Sequence, residues 1–518
     1  MKHYQSSKPL LMDDWLKYHP YSQPSKTDYY YLKLCNNLLR ANSDEPLLNL
    51  LKWSEYKELT CTLVCWFEDI VSETNIWRSF TAEHKRLYGK YLPFFDTEND
   101  YFDDEINQQD IEFLIWHFFS MCEADLLIDP FHDIFKKFAV KTFEILSNEY
   151  ETAPSNVIFK EKLRVPTYRE FFETRSIIEF LAINSYLNRQ SAITFLQNKV
   201  DELNKSKLEP EKVNVARYDI LIGCMMDNVS PFLSMRANEH LANIIGEDHP
   251  KYHLIKNISK RYLITCTVKS VTTNHLCLEH NATGQQINLA IDTISDTNKN
   301  TAEIMKVGKE LTASMVKWGD EWALMGAIIA YQGKPNKEIK DEKHIFDPLE
   351  QKLEFLIQHE ECFKEIADGA IIRYLENSAQ YVELSKQFIR RLYEKAHPDK
   401  KFPEKNFDNY NFIDKEYYNC VVFFNRKAGI EIYPGLNNCV KDPRNPYYIQ
   451  GECADIQFLI TDKTISVQFV EYLIDNALID FDQNKGMDDK TIKDELDFLM
   501  RYFKLKNYHT IPNITIVQ

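Results

Sequence analysis

At 518 residues the chain has room for three or four structural units of ~150 residues each, every one able to bury a core of its own. Thirteen glycines, where an average composition of about 7% would supply ~36, argue against glycine-rich phosphate loops, collagen-like repeats and turn-dense barrels throughout, and leave helix as the default. Sixty-two basic against 78 acidic residues give a net charge of −16, so the surface repels phosphate backbones unless a local patch reverses the sign, and a general nucleic-acid binder is disfavoured.

The start, Met1-Lys-His-Tyr-Gln-Ser-Ser-Lys-Pro9, has no apolar core of a signal peptide, and the densest apolar stretch, Phe113 to Cys122, contains His117 and is too short to span a bilayer. Neither secretion nor a membrane is expected. Eleven cysteines form an odd, scattered set without a Cys-x-x-Cys pair, which fits reduced thiols in the cytoplasm. Cys61 and Cys65 share a helix face without a histidine at ligand spacing, so they read as core, and no metal or cofactor is expected.

Residues 1–258 form the first expected domain, helical, because apolar positions recur at three and four in Tyr30–Leu39, Leu59–Val71, Ile111–Leu127 and Phe131–Leu146. Prolines at His19-Pro20, Leu92-Pro93, Asp129-Pro130 and Ala153-Pro154 end elements. Asn107 followed by Asp110 resembles a capping box at a helix start. From Tyr262 the period changes. Tyr262–Val268, His275–Glu279, Gln286–Ile291, Leu311–Lys317 and Trp322–Ala330 read as five short strands, the last two a hairpin across Trp318-Gly-Asp-Glu321. They predict a small five-stranded β-barrel-like module over 259–332, of a size shared by Src-homology-3-like and oligonucleotide-fold modules. A polar linker, Gly333–Lys343, and a helical stretch, Leu349–Lys395, fill 333–408. An α+β region, 409–518, closes the chain with a strand pair, Cys420–Phe424 and Gly429–Tyr433, the loop Asp442-Pro-Arg-Asn-Pro-Tyr-Tyr448, and helices at 455–479 and 490–503. The expected class is mainly α and multi-domain.

Charge supplies the clearest anomaly. Between Lys90 and Lys136 stand twelve acids and no lysine or arginine. Carboxylates this dense call for counter-charge from a metal, a basic partner or distant basic side chains. Asp96–Asp104 superficially matches a calcium loop, yet Tyr101 holds the place of its glycine and Asn107 that of its closing glutamate. Asp96, Glu98, Asp100, Asp103, Asp104 and Glu105 are therefore the candidate contacts for a basic protein partner. Trp318 and Trp322, with Lys269 and Lys317, are candidate contacts for single-stranded RNA, the one place where nucleic acid enters the reading. His397-Pro-Asp399 imitates the tripeptide of J-domain co-chaperones, but Tyr374-Leu-Glu-Asn lacks the glycine of their first helix, and Pro398 reads as a helix terminator. No His-Glu-x-x-His, Gly-x-Ser-x-Gly or Gly-x4-Gly-Lys pattern occurs, and no catalytic residue is assigned.

Several stretches together resemble a family of Bacteroidetes proteins assigned a domain of unknown function: Asp14–Tyr21 with Thr27–Leu32, Ile76–Thr81 with His84–Pro93, Asp227–Leu233, Val316–Trp322, Gly429–Ile432, Asn445–Tyr448 and Phe498–Phe503. The resemblance implies one composite bacterial, cytoplasmic protein and carries no activity, substrate or site with it. The functional expectation is a non-enzymatic scaffold or adaptor whose acidic surface binds a basic protein. RNA or ribosome association through the β module and an enzyme whose site assembles only in space are the alternatives. Sequence leaves any small-molecule ligand open.

Overall fold

The computed structural model describes residues 8–123, 126–168, 170–205, 210–294, 304–330, 349–403, 416–481 and 486–510. Two compact units divide the chain, residues 1–124 with 128–345 and residues 125–127 with 346–518. Before Tyr262 the described helices of the first unit are α1 (Met12–Leu16), α2 (Lys26–Ala41), α3 (Trp53–Ser72), α4 (Ile76–Tyr88), α5 (Gln108–Cys122), α6 (Asp133–Tyr150), α7 (Val157–Lys162), α8 (Phe171–Ile183), α9 (Arg189–Lys205), α10 (Pro210–Met226), α11 (Ala237–Ile245) and α12 (Tyr252–Lys256).

Local chemistry sets their ends. Ser25 and Asp28 form a reciprocal capping box at the start of α2, Asp28 N–H donating to Ser25 Oγ at 3.3 Å and Ser25 N–H to Asp28 Oδ2 at 2.7 Å. Gly89 at φ 79° closes α4 in the left-handed conformation. Asn107 does precede α5, but its amide turns back on the loop, to Phe102 and Glu105, instead of capping the helix. The core between the helices is aromatic, with Trp15, Trp66, Trp77, Trp116, Phe67, Phe80 and Phe113 fully enclosed.

Five strands follow: β1 (Tyr262–Val271), β2 (His275–His280), β3 (Gln286–Ala290), β4 (Glu310–Trp318) and β5 (Glu321–Ala330). Their order β1-β2-β3-β5-β4 returns on itself, because β1 also pairs β4, and one parallel contact, Leu289 opposite Trp322, joins β3 to β5. Ile264, Cys266, Val268, Leu276, Leu278 and Leu289 fill the interior. β4 bulges between Ala313 and Met315, where Gly326 of β5 lies so close that a Cβ would stand 2.8 Å from Ser314. Arg261 fastens this module to the helices. Its backbone N–H and Nε bond Asp227 at 2.9 and 3.0 Å, and Nη1 pairs with Asp219 on α10.

The second unit holds α13 (Leu349–Ile366), β6 (Ile372–Asn377), α14 (Ser378–Ala396), β7 (Tyr418–Asn425), β8 (Gly429–Tyr433), α15 (Ile456–Thr461), α16 (Val467–Asp475), α17 (Asp489–Asp494) and α18 (Leu496–Lys504). The stretch expected as uninterrupted helix from Leu349 to Lys395 is broken by β6, which pairs antiparallel with β7. Residues on either side of 408 thus share one sheet. Gly369, at φ 81°, makes the break possible. Leu356, Phe363, Leu384 and Phe388 of the helices pack on Leu375, Val422 and Phe424 of that sheet.

Lys504 is buried at the end of α18, where its ammonium donates to Leu459 O at 2.7 Å and Asp462 O at 2.8 Å, the carbonyl end of α15. Burial pulls its pKa down to about 7 from 10.5. Between those values the unfolded chain binds the proton and the folded chain does not, so stability rises with pH from about 7 upward and is flat below, where both states are protonated. Urea midpoints at pH 7 and pH 9 are expected to diverge less for Lys504→Met than for the wild type. Identical pH slopes in the two proteins refute the assignment.

Candidate functional site

The acidic loop between α4 and α5 folds around two buried side chains. Tyr101 stacks on Tyr91, ring centroids 5.0 Å apart, and its hydroxyl donates to Asp110 Oδ1 at 2.9 Å. Asn107 clamps both backbone groups of Phe102, at 2.8 and 3.0 Å. With Tyr101, Asn107 and Thr97 turned inward, Asp96, Glu98, Asp100, Asp104 and Glu105 are left exposed. Asp110 is fully buried, and burial raises its pKa to about 7 against the opposing hydrogen bonds of Tyr101 and Asn107. It belongs to the core and is no part of an acidic face.

Asp96, Asp100 and Glu105 border an open groove of about 720 Å³, together with Glu112, Asp133 and a single cation, Lys136. Glu98, Asp103 and Asp104 stand outside it. Among the described residues Asp103 is the one of the six candidate acids in an ion pair, to Arg78 at 3.4 Å. Apolar side chains complete the groove: Phe102 is 58% exposed and Phe131 48% exposed, the latter edge-on to Phe95 with centroids 5.7 Å apart. Sequence reasoning named the acids and missed the two phenylalanines. The signal available was a phenylalanine inside a run of carboxylates, Asp100-Tyr-Phe-Asp103.

The four candidate RNA contacts do not form one face. Trp318 is 5% exposed and packs edge-on against Phe171 of α8 at 5.1 Å. Trp322 is half-buried against Tyr262, and Lys269 pairs with Glu279 at 2.7 Å. Lys317 is exposed. The hairpin tip itself abuts the helices, since a Cβ on Gly319 would meet Leu254 at 2.9 Å. Stacking of bases on Trp318 would require the module to leave α8. At the other candidate motif α14 ends at Ala396, and His397 folds back with its ring 4.6 Å from Tyr393, as a helix terminus does.

One group of possible metal ligands occurs among the described residues, His19, Asp28 and Glu68, with ligand atoms within 4.8 Å of one another. All three are buried, and each is engaged by protein. His19 Nε2 faces Glu68 Oε2 at 2.8 Å and Nδ1 faces Trp15 O at 3.2 Å. Asp28 accepts from Trp15 Nε1 and the Tyr21 hydroxyl on one oxygen and from Ser25 on the other. Glu68 Oε1 accepts from Asn156 at 2.8 Å. The Trp15 carbonyl can only accept, so Nδ1 carries a proton, and a second proton is shared between Nε2 and Glu68. Burial opposes that charge, but Glu68 overcomes it and the pKa of His19 is raised. The arrangement is a hydrogen-bonded knot that holds the fold, with no lone pair directed at an open position. No helix among the described residues is long and apolar enough to cross a membrane.

The family model described as Protein of unknown function (DUF3843) matches residues 10–299 and 347–505, so the chain belongs to that family. No curated protein and no solved structure matches it.

Three other histidines in the helical body have the opposite setting. Burial lowers His84 and His240 to about 4 and His117 to about 3. As pH falls from 6.5 toward 4, the unfolded chain takes up protons that these rings refuse, so stability is lost with acid, whereas the raised pKa of His19 contributes stability that is present below pH 6.5 and lost as pH rises through it. His240→Leu is expected to remove about one proton from the acid-side slope of unfolding free energy, read from urea midpoints at pH 6.5, 5.5 and 4.5. An unchanged slope would mean that His240 is already charged in the folded chain.

Proposed function

We propose that this member of the family is a non-enzymatic scaffold or adaptor that binds a basic protein through the groove bordered by Asp96, Asp100, Glu105, Glu112 and Asp133. A single observation carries the reading: five carboxylates share the groove with one lysine and with exposed phenylalanine rings. Long-range attraction would steer a cationic segment to the carboxylates, and the rings give it something to hold by apolar and cation–π contact once there. A merely solvated acidic loop has no use for the second feature. Among the described residues the six candidate acids take no ion pair from distant lysines or arginines, Asp103 excepted. The catalytic alternative draws less support, because the most perturbed acids and histidines, Asp69, Asp110, His117 and His240, are enclosed in the core and bound to their neighbours.

Titration calorimetry with an amphipathic lysine–leucine peptide tests this directly. Binding should weaken about tenfold or more between roughly 0.05 and 0.5 M salt as screening shortens the reach of the charges, and by a similar factor in the double variant Asp96→Lys/Glu105→Lys. Phe102→Ser should weaken it without altering the salt dependence. Affinity indifferent to both salt and charge reversal would remove the proposal's physical basis.

A further inference from the structure

Of the five carboxylates that border the acidic groove, Asp96, Asp100, Glu105 and Asp133 are exposed to solvent, whereas Glu112 keeps only 8% of its surface. Its place on α5 accounts for the difference. Glu112 stands four residues after Gln108, so the two side chains share one face of the helix, and Gln108 Nε2 donates to Glu112 Oε1 at 2.7 Å. The other oxygen, Oε2, accepts from none of the described residues, yet it is not sealed from water. An otherwise enclosed side chain thus opens onto the groove that it borders. Lys136, the one cation on that border, makes no ion pair with it.

A carboxylate so placed carries an uncompensated charge. Enclosure strips most of its water, and a cation brought beside it offsets that cost. The four hydrated acids draw cations without discriminating among them. Glu112 can discriminate, because it has one oxygen to offer. The planar fork of arginine is best matched by two carboxylate oxygens at once, while the lysine ammonium is a compact point charge that one acceptor satisfies. Phe95, Phe102, Phe131 and Phe143 border the same groove, and their rings suit the methylenes of a four-carbon stem. Along α6 the border runs from Asp133 to Phe143, a span of about 15 Å at ~1.5 Å per residue. An extended chain at ~3.3 Å per residue fits about four residues into that length.

We propose that Glu112 is the specificity-determining residue of the groove: its Oε2 receives the ammonium of one lysine of the partner and selects lysine over arginine at that position. Gln108 is a positioning residue that acts through Glu112, holding Oε1 so that a guanidinium cannot engage both oxygens. The inference rests on the basic-protein reading of the groove and adds which basic side chain is read and by which atom.

Calorimetric titration of the full chain with three peptides of equal length and charge tests this. They are the amphipathic lysine–leucine peptide, its arginine counterpart, and its trimethyl-lysine counterpart, which keeps the charge but has no N–H to donate. The lysine peptide is expected to bind about fivefold or more tighter than either of the others. Glu112→Gln should reduce that preference to less than about twofold, and Gln108→Ala, which releases Oε1, should strengthen the arginine peptide while leaving the trimethyl-lysine peptide weak. Loss of packing would weaken all three peptides together, so the ratios distinguish recognition by Glu112 from a structural role. Equal binding of the lysine and arginine peptides to the wild type overturns the inference, as does a lysine preference that survives Glu112→Gln. In both cases salt-dependent binding of the peptides leaves the broader reading of the groove standing, whereas the absence of any binding removes the two together.

Discussion

The structure of the first unit depends on a charge that has nowhere else to go. His19, Glu68 and Asp28 are all sealed from water and bonded to one another's neighbours, and buried charge costs several kcal/mol per ion unless it is paired and hydrogen-bonded. Satisfying them fixes α1, α2, α3 and the Asn156 turn before α7 relative to one another. The constraint then propagates. Asp69, next to Glu68, accepts from Ile76 and Trp77 N–H at 3.1 and 2.7 Å and so caps α4. Trp77 and Phe80 of α4 pack on Phe113 of α5, and the first turn of α5 carries Asp110, to which Tyr101 anchors the acidic loop. A groove on the surface is thereby held in shape by a knot in the interior.

Much of this architecture is legible in the sequence, and what is not has a common cause. The five strands of the β module fall where alternation and β-branched residues put them, and the helical body follows its three-and-four periodicity, because both patterns record burial by near neighbours in the chain. β6 escapes because Ile371-Ile-Arg-Tyr-Leu375 is a short apolar run between two longer helices, and its partner, β7, begins more than forty residues later. His19-Pro-Tyr21 reads as punctuation for the same reason: Glu68 and Asn156, which give His19 and Tyr21 their role, are 49 and 135 positions away. Asp110 is indistinguishable in sequence from the exposed acids around it until Tyr101 folds over it.

The tryptophans of the hairpin illustrate the opposite case, a local pattern open to both base stacking and hairpin packing that only the surroundings of the tip can weigh. Trp318 and Trp322 do flank a two-residue turn, with Trp318 opposite Glu321. A tip of this kind suits base stacking only if it faces solvent. Here α8 and α12 occupy that space, and Arg261, clamped to Asp219 and Asp227, ties the start of β1 to the same helical layer. Trp318 therefore seals a junction inside the unit, while Trp322 packs on Tyr262 within the module.

The acidic groove must be weighed on a different balance. Exposed carboxylates cost little in water, where two unit charges about 4 Å apart interact by only about 1 kcal/mol, so their density alone says nothing about purpose. An exposed aromatic ring set among them is harder to dismiss. Phe102 and Phe131 each leave about half of their surface in water beside a cavity that neighbouring side chains do not fill, forgoing apolar burial worth of order 1 kcal/mol apiece at ~25 cal/mol per Å². Single exposed hydrophobes are ordinary, but two that border the same negatively charged groove combine the requirements of a surface that attracts cations at a distance and grips them by apolar contact at close range. That combination is what the proposed docking reading rests on, since a solvated loop of the same charge does not call for the rings.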